Sequence, residues 1–81
     1  MNATLNLVEI TPEGKIIAAL IEGPKSYKEL KSATGLSDRW LSRKLRELSS
    51  SKLTEHYMKS YQLKNLKGII DAHPVFAKYL Q

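Results

Sequence analysis

The sequence predicts a mostly helical α+β fold in one small domain, with three helices, a short β-hairpin and a C-terminal helix. Apolar residues recur at helical spacing in three stretches before residue 50, and each stretch follows a residue type that caps helices. Between residues 54 and 64 the pattern changes to alternation, which is typical of strands. A length of 81 residues leaves room for one hydrophobic core.

The first helix is predicted to begin after Thr11, which can cap it, with Pro12 at the first helical position. Its apolar residues keep helical spacing until Gly23 and Pro24 end it. Residues 1–10 show no clear period, and we expect them to form an extended N-terminal arm.

The second helix is predicted to be short and to begin after Ser26, because Ser26 and Glu29 have the spacing of a capping box. Leu30 and Ala33 are expected to face inward. Gly35 is expected to end the helix in the left-handed conformation.

The third helix is predicted to run from Asp38 to about Ser50, with Ser37 as its cap. Its buried stripe is formed by Leu41, Leu45 and Leu48. Two short helices joined by a tight turn with a glycine predict a helix-turn-helix over residues 26–50.

Residues 54–64 are predicted to form the hairpin, because tyrosine and leucine residues alternate around Met58-Lys59-Ser60. Asn65 is a candidate cap for the last helix, over residues 65–81. Pro74 should kink or split that helix, because proline removes a backbone donor and clashes with the preceding turn.

The surplus positive charge lies in one segment of the chain. The formal net charge is +5, and residues 25–52 carry eight basic against three acidic residues, whereas elsewhere the charges cancel. All three arginines belong to this segment. Such a concentration favours a polyanionic partner, and an ordinary solvated charge run is the alternative.

Three stretches resemble the winged helix-turn-helix domains of prokaryotic transcription regulators of the ArsR, MarR and HxlR kinds. They are GPKSYKEL at 23–30, TGLSDRWLSRKLREL at 34–48 and YQLKNLKG at 61–68. The resemblance implies that the hairpin over 54–64 is a wing. It also implies that the protein is a small dimeric transcriptional regulator that binds double-stranded DNA sequence-specifically.

Two features depart from the family pattern. Lys52 stands where the family usually has a glycine, so it must accept a strained turn or the backbone takes another route. The wing is short and lacks the common arginine-glycine tip, which argues against deep contact with the minor groove.

The arginines of the third helix lie opposite its buried leucines on a helical wheel. Arginine matches the paired acceptors of guanine in the major groove and also clamps phosphates. A recognition helix of this kind lies in the major groove. The resemblance puts DNA contact on Ser37, Arg39, Trp40, Ser42, Arg43 and Arg46.

Several of the predicted contacts have an alternative interpretation. Trp40 is either a partly buried packing residue or an apolar contact to a thymine methyl or a sugar. Ser26 and Tyr27 are predicted phosphate contacts at the start of the second helix, and simple capping is the alternative. Lys59 at the wing tip is either a phosphate contact or a free surface lysine.

The last helix is predicted to hold a homodimer together, because its apolar stripe is longer than a three-helix core needs. The stripe is formed by Leu66, Ile69, Ile70, His73, Phe76 and Leu80. The alternative is that this helix folds back onto the first helix and the chain is monomeric.

The chain shows no signature of an enzyme, a cofactor site or a metal site. It has no cysteine, and His56 and His73 have no carboxylate at metal-ligand spacing. It has neither a leader pattern nor an apolar run long enough to span a membrane. We therefore expect a cytoplasmic, nucleoid-associated protein. The rival function is a winged helix whose basic face docks on an acidic partner or binds DNA non-specifically.

Overall fold

The computed structural model describes residues 11–80, so the arm predicted for residues 1–10 lies outside the described residues. The elements are α1 (Pro12–Ile21), α2 (Tyr27–Thr34), α3 (Asp38–Ser50), β1 (Thr54–Tyr57), β2 (Ser60–Leu63), α4 (Leu66–Ala72), a 3₁₀ helix (Pro74–Phe76) and α5 (Ala77–Leu80). The prediction of a mostly helical α+β fold with one hairpin is confirmed.

Helices α1 and α3 begin at the caps that the sequence indicates. The side chain of Thr11 accepts a hydrogen bond from the amide of Gly14 at 3.0 Å. The side chain of Ser37 accepts one from the amide of Trp40 at 3.3 Å. Each cap satisfies an amide that has no partner within its own helix, and this local requirement fixes where the helix starts.

Helix α2 has the complete capping box. The Ser26 hydroxyl accepts from the Glu29 amide at 3.1 Å, and the Glu29 carboxylate accepts from the Ser26 amide at 2.8 Å. Gly35 ends the helix with φ at 71°, as predicted. The inward position expected for Ala33 is wrong, since Ala33 is exposed and Thr34 is buried in its place.

Helix α3 ends in a Schellman motif that holds a lysine in the left-handed conformation. The φ of Lys52 is 61°. The Lys52 amide donates a hydrogen bond to the carbonyl of Ser49 at 3.0 Å, and the Leu53 amide donates one to the carbonyl of Leu48 at 2.9 Å. The backbone therefore makes the turn that a glycine would favour. A lysine in this conformation costs about 1–2 kcal/mol in backbone strain.

The strands β1 and β2 form an antiparallel hairpin in which Tyr57 lies opposite Ser60. Met58 and Lys59 make the two-residue turn, and φ of Met58 is 58°. Positive φ at the first central position is the pattern of a type II′ turn, whose twist matches that of a hairpin.

The hairpin is joined to the helical part through the backbone of β2. Lys25 and Tyr61 exchange two backbone hydrogen bonds of 3.0 and 2.7 Å, just before α2 begins. On the other strand, the ring of His56 stacks on that of Tyr61 with centroids 4.1 Å apart. The wing is thus fixed against the start of the helix-turn-helix.

The core draws on α1 to α4, on the turn before β1 and on the 3₁₀ helix. It contains the three leucines predicted for α3. Its buried apolar residues are Ile16, Ile17, Leu20, Leu30, Leu41, Leu45, Leu48, Leu53, Ile69 and Phe76.

The C-terminal segment is split at Pro74, as the sequence predicts, and packs on the core of its own chain. Ile69 and Phe76 have no exposed surface. Their assignment to the dimer interface is corrected on this ground, because a side chain filling the core presents no surface to a second copy. The other assigned residues keep exposed surface, most of all Leu66 at 44 %. They are Leu66, Ile70, His73 and Leu80.

Candidate DNA-binding surface

Helix α3 presents its three arginines on the face opposite the core. Leu41, on the other face, is fully buried, whereas Arg39, Arg43 and Arg46 are exposed. Among the ion pairs within residues 11–80, none includes Arg39 or Arg46. The face therefore offers guanidinium groups to an anionic partner, as predicted from the helical wheel.

Tyr27 connects the start of α2 to the N-terminal half of α3. Its hydroxyl lies 3.0 Å from the hydroxyl of Ser42 and 3.2 Å from both the carboxylate and the backbone oxygen of Asp38. Lys31 adds an ion pair to the same carboxylate at 3.0 Å. The hydrogen bonds from Lys31 and Tyr27 hold the pKa of Asp38 below its ordinary value. These contacts fix the position of α3 relative to α2.

Two of the three serines in the predicted contact set are helix caps. Ser26 and Ser37 each accept a hydrogen bond from an amide of the first turn that follows. Capping, the alternative interpretation of Ser26, therefore takes place. A capping hydroxyl still has its own hydrogen to donate, so capping and phosphate contact are compatible.

Trp40 lies at the edge of the arginine face with 46 % of its surface exposed. The guanidinium carbon of Arg43 lies 5.7 Å from the ring centroid, and the ammonium of Lys44 lies 5.4 Å from it. Both distances are within the range of cation–π attraction. Trp40 thus packs against two cations and keeps nearly half of its surface available to a ligand.

Lys44, which was not singled out from the sequence, forms ion pairs within the protein. Its ammonium lies 2.8 Å from the carboxylate of Glu13 on α1 and 3.1 Å from that of Glu47 on α3. These hydrogen bonds lower the pKa of Glu13 and raise the pKa of Lys44. The contact with Glu47 could have been predicted from the spacing of three residues on one helix. The contact with Glu13 could not, because it depends on how α1 packs on α3.

The wing tip carries Lys59 together with two exposed apolar side chains. Met58 is 79 % exposed, and Tyr57 is exposed as well. Within residues 11–80, no hydrogen bond or ion pair of the Lys59 side chain is formed. The tip is therefore open to a ligand, and its apolar part was not anticipated from the sequence.

Residues 11–80 contain no group of three or more His, Cys, Asp or Glu side chains that could hold a metal ion. No helix in the same range has the length and apolar character required to cross a membrane.

Three helices, an antiparallel hairpin and a basic face on the second helix of the helix-turn-helix together define a winged helix-turn-helix domain. The model of the family described as HxlR-like helix-turn-helix matches residues 12–65, about two thirds of the chain. The chain belongs to the HxlR-like helix-turn-helix family. Family membership indicates DNA binding in transcription regulation rather than catalysis. Neither the curated proteins nor the solved structures gave a match.

Proposed function

We propose that the protein regulates transcription by binding a specific duplex sequence, with α3 in the major groove. The observation that carries this proposal is the exposure of Arg39, Arg43 and Arg46 on the face of α3 that points away from the core. A guanidinium group matches the O6 and N7 acceptors of guanine, and it also neutralises phosphate. A regulator of this kind acts at the nucleoid.

The residues around α3 supply the contacts that hold it in register. Ser26 and Tyr27 lie at the N-terminus of α2, where backbone amides and hydroxyls favour a phosphate. Lys59 is exposed at the wing tip, where a lysine can reach the DNA backbone. We assign these three residues to contacts with the DNA backbone, and the reading of base edges to α3.

We further propose that the protein acts as a homodimer through the exposed apolar residues of its C-terminal segment. Leu66 is 44 % exposed on α4, and Ile70 one turn later is partly exposed. A two-fold dimer places two recognition helices about 34 Å apart, in successive major grooves, and favours palindromic sites.

The dimer is tested by sedimentation at micromolar concentration. Leu66→Asp should shift the protein toward a 9.2 kDa monomer, because it places a charge in the proposed interface. Lys67→Asp is the matched control, since Lys67 is exposed beside Leu66 and contributes no apolar surface. A wild-type protein that sediments as a monomer would refute the dimer and leave a binder of one half-site.

Sequence-specific binding is tested by selecting bound duplexes from a random pool. We expect one enriched motif, arranged as a palindrome. Binding without any enriched motif would favour the architectural role. Absence of duplex binding at about 50 mM salt, where even non-specific binding is strong, would favour an acidic protein partner.

A further inference from the structure

The arginine face of α3 contains one carboxylate that contacts two cations at once. The side chain of Glu47 is 50 % exposed. One of its oxygens lies 3.5 Å from Nε of Arg43, and the other lies 3.1 Å from Nζ of Lys44. Both oxygens of Glu47 are therefore engaged by neighbours on the same helix.

Helix stability gives only a weak reason for a glutamate at this position, although its two ion pairs favour the helix slightly. Glu47 lies in the last turn of α3, where the negative end of the helix dipole disfavours a carboxylate. An arginine four residues before a glutamate is also the less favourable order for a helical pair. On a surface that binds a polyanion, the negative charge of Glu47 further reduces affinity.

The same contacts restrict the orientation of Arg43. The Trp40 ring lies on one side of its guanidinium, at 5.7 Å, and Glu47 contacts its Nε edge. The two terminal nitrogens of Arg43 are not part of that ion pair. They are the pair of donors that can face O6 and N7 of a guanine.

Arg39 and Arg46 have no ion pair within the described residues, and the only cation–π contacts of Trp40 in that range are with Arg43 and Lys44. Arg43 thus has an exposed ion pair and an aromatic ring beside it, whereas within residues 11–80 Arg39 and Arg46 have neither. A restrained side chain loses less rotational freedom on binding and tolerates fewer wrong geometries.

We propose that Glu47 and Trp40 are positioning residues that give Arg43 its preference for guanine, while Arg39 and Arg46 mainly add affinity for the DNA backbone. The inference rests on the proposed function, and it assigns sequence selectivity within that surface. Glu47 lowers affinity for DNA in general and raises the discrimination between sequences.

The experiment measures affinity for the selected duplex and for duplexes with each base pair replaced. Arg43→Ala first identifies the position that Arg43 reads, as the position where guanine preference disappears. Glu47→Gln should reduce the preference at that same position at least about fivefold, the lower end of one bidentate contact. It should also strengthen binding to random duplex and steepen the salt slope by about one.

Two further variants separate positioning from a general effect of charge. Glu22→Gln removes the same charge from an exposed residue outside α3 and should leave the guanine preference unchanged. Adding Glu47→Gln to Arg43→Ala should cause no further loss of preference, because the residue that Glu47 positions is already absent.

Trp40→Ala provides a second variant, which should weaken preference at the Arg43 position. A loss confined to a neighbouring A·T pair would instead make Trp40 a thymine contact and overturn its positioning role. If Glu47→Gln keeps every preference within twofold of wild type, the inference about Glu47 is refuted while the proposed function stands. If the wild-type protein itself shows no preference, the proposed function fails.

Discussion

Replacing Lys52 by glycine should stabilise the protein, although the change removes a side chain. Lys52 has φ at 61° in the Schellman motif that ends α3. A side chain with a Cβ costs about 1–2 kcal/mol in the left-handed conformation. Glycine avoids that strain, so the native state of Lys52→Gly should gain this amount.

The expected net gain is smaller, because glycine also makes the unfolded chain more flexible. That effect costs about 0.4–1 kcal/mol. The midpoints of the two ranges differ by about 0.8 kcal/mol, which is the expected gain in the free energy of unfolding. For a domain of this size, such a gain raises the midpoint of thermal unfolding by about 3–6 °C.

The assay is thermal and urea unfolding of three proteins, namely wild type, Lys52→Gly and Lys52→Ala. Alanine removes the same charge but keeps the Cβ, so the difference between the glycine and alanine variants measures the relieved backbone strain less the flexibility that glycine adds to the unfolded chain. Because Lys52 is exposed, we expect Lys52→Ala to remain within about 0.5 kcal/mol of wild type. A glycine variant no more stable than the alanine variant would show that the turn at Lys52 holds no strain for glycine to relieve.

Four more outcomes are expected from single substitutions. Arg43→Ala should cost about 1–3 kcal/mol of binding and relax preference at one base position, as measured on duplexes with single replacements. Lys59→Ala should weaken binding to all duplex sequences alike, and it should reduce the slope of log affinity against log salt concentration by about one. Gly68→Ala should destabilise by about 1 kcal/mol in urea, since its Cβ would lie 2.6 Å from the Asn65 side chain that caps α4. Glu13→Gln should lower the unfolding midpoint at pH 7. Because the folded pKa of Glu13 is lowered, this difference from wild type should fade below the ordinary value of 4.5, as the carboxylate is protonated.

The starts of the helices could be predicted from the sequence because a cap is a local interaction. Thr11, Ser26 and Ser37 each bond to an amide three residues later, and no distant part of the chain is needed. The left-handed turn at Lys52 was one of two alternatives that the sequence left open, the other being a different route of the backbone.

The contacts that depend on packing between elements could not be predicted in the same way. The burial of Ile69 and Phe76 follows from how the C-terminal segment lies on the core, and a periodic apolar stripe is compatible with either a core or a dimer interface. The ion pair of Lys44 with Glu13 joins residues 31 positions apart. The helical wheel therefore predicted the arginine face, but it did not predict that Lys44 forms an ion pair with another helix.

One ratio of affinities decides whether the arginine face of α3 reads DNA sequence. It is the affinity for the selected duplex divided by that for random duplex, measured for wild type and for a variant with Arg39, Arg43 and Arg46 all changed to alanine. We expect a ratio of at least about 10³ for wild type at physiological salt and a ratio near one for the variant. A wild-type ratio near one, or a variant that keeps the wild-type ratio, would show that these arginines do not read the sequence.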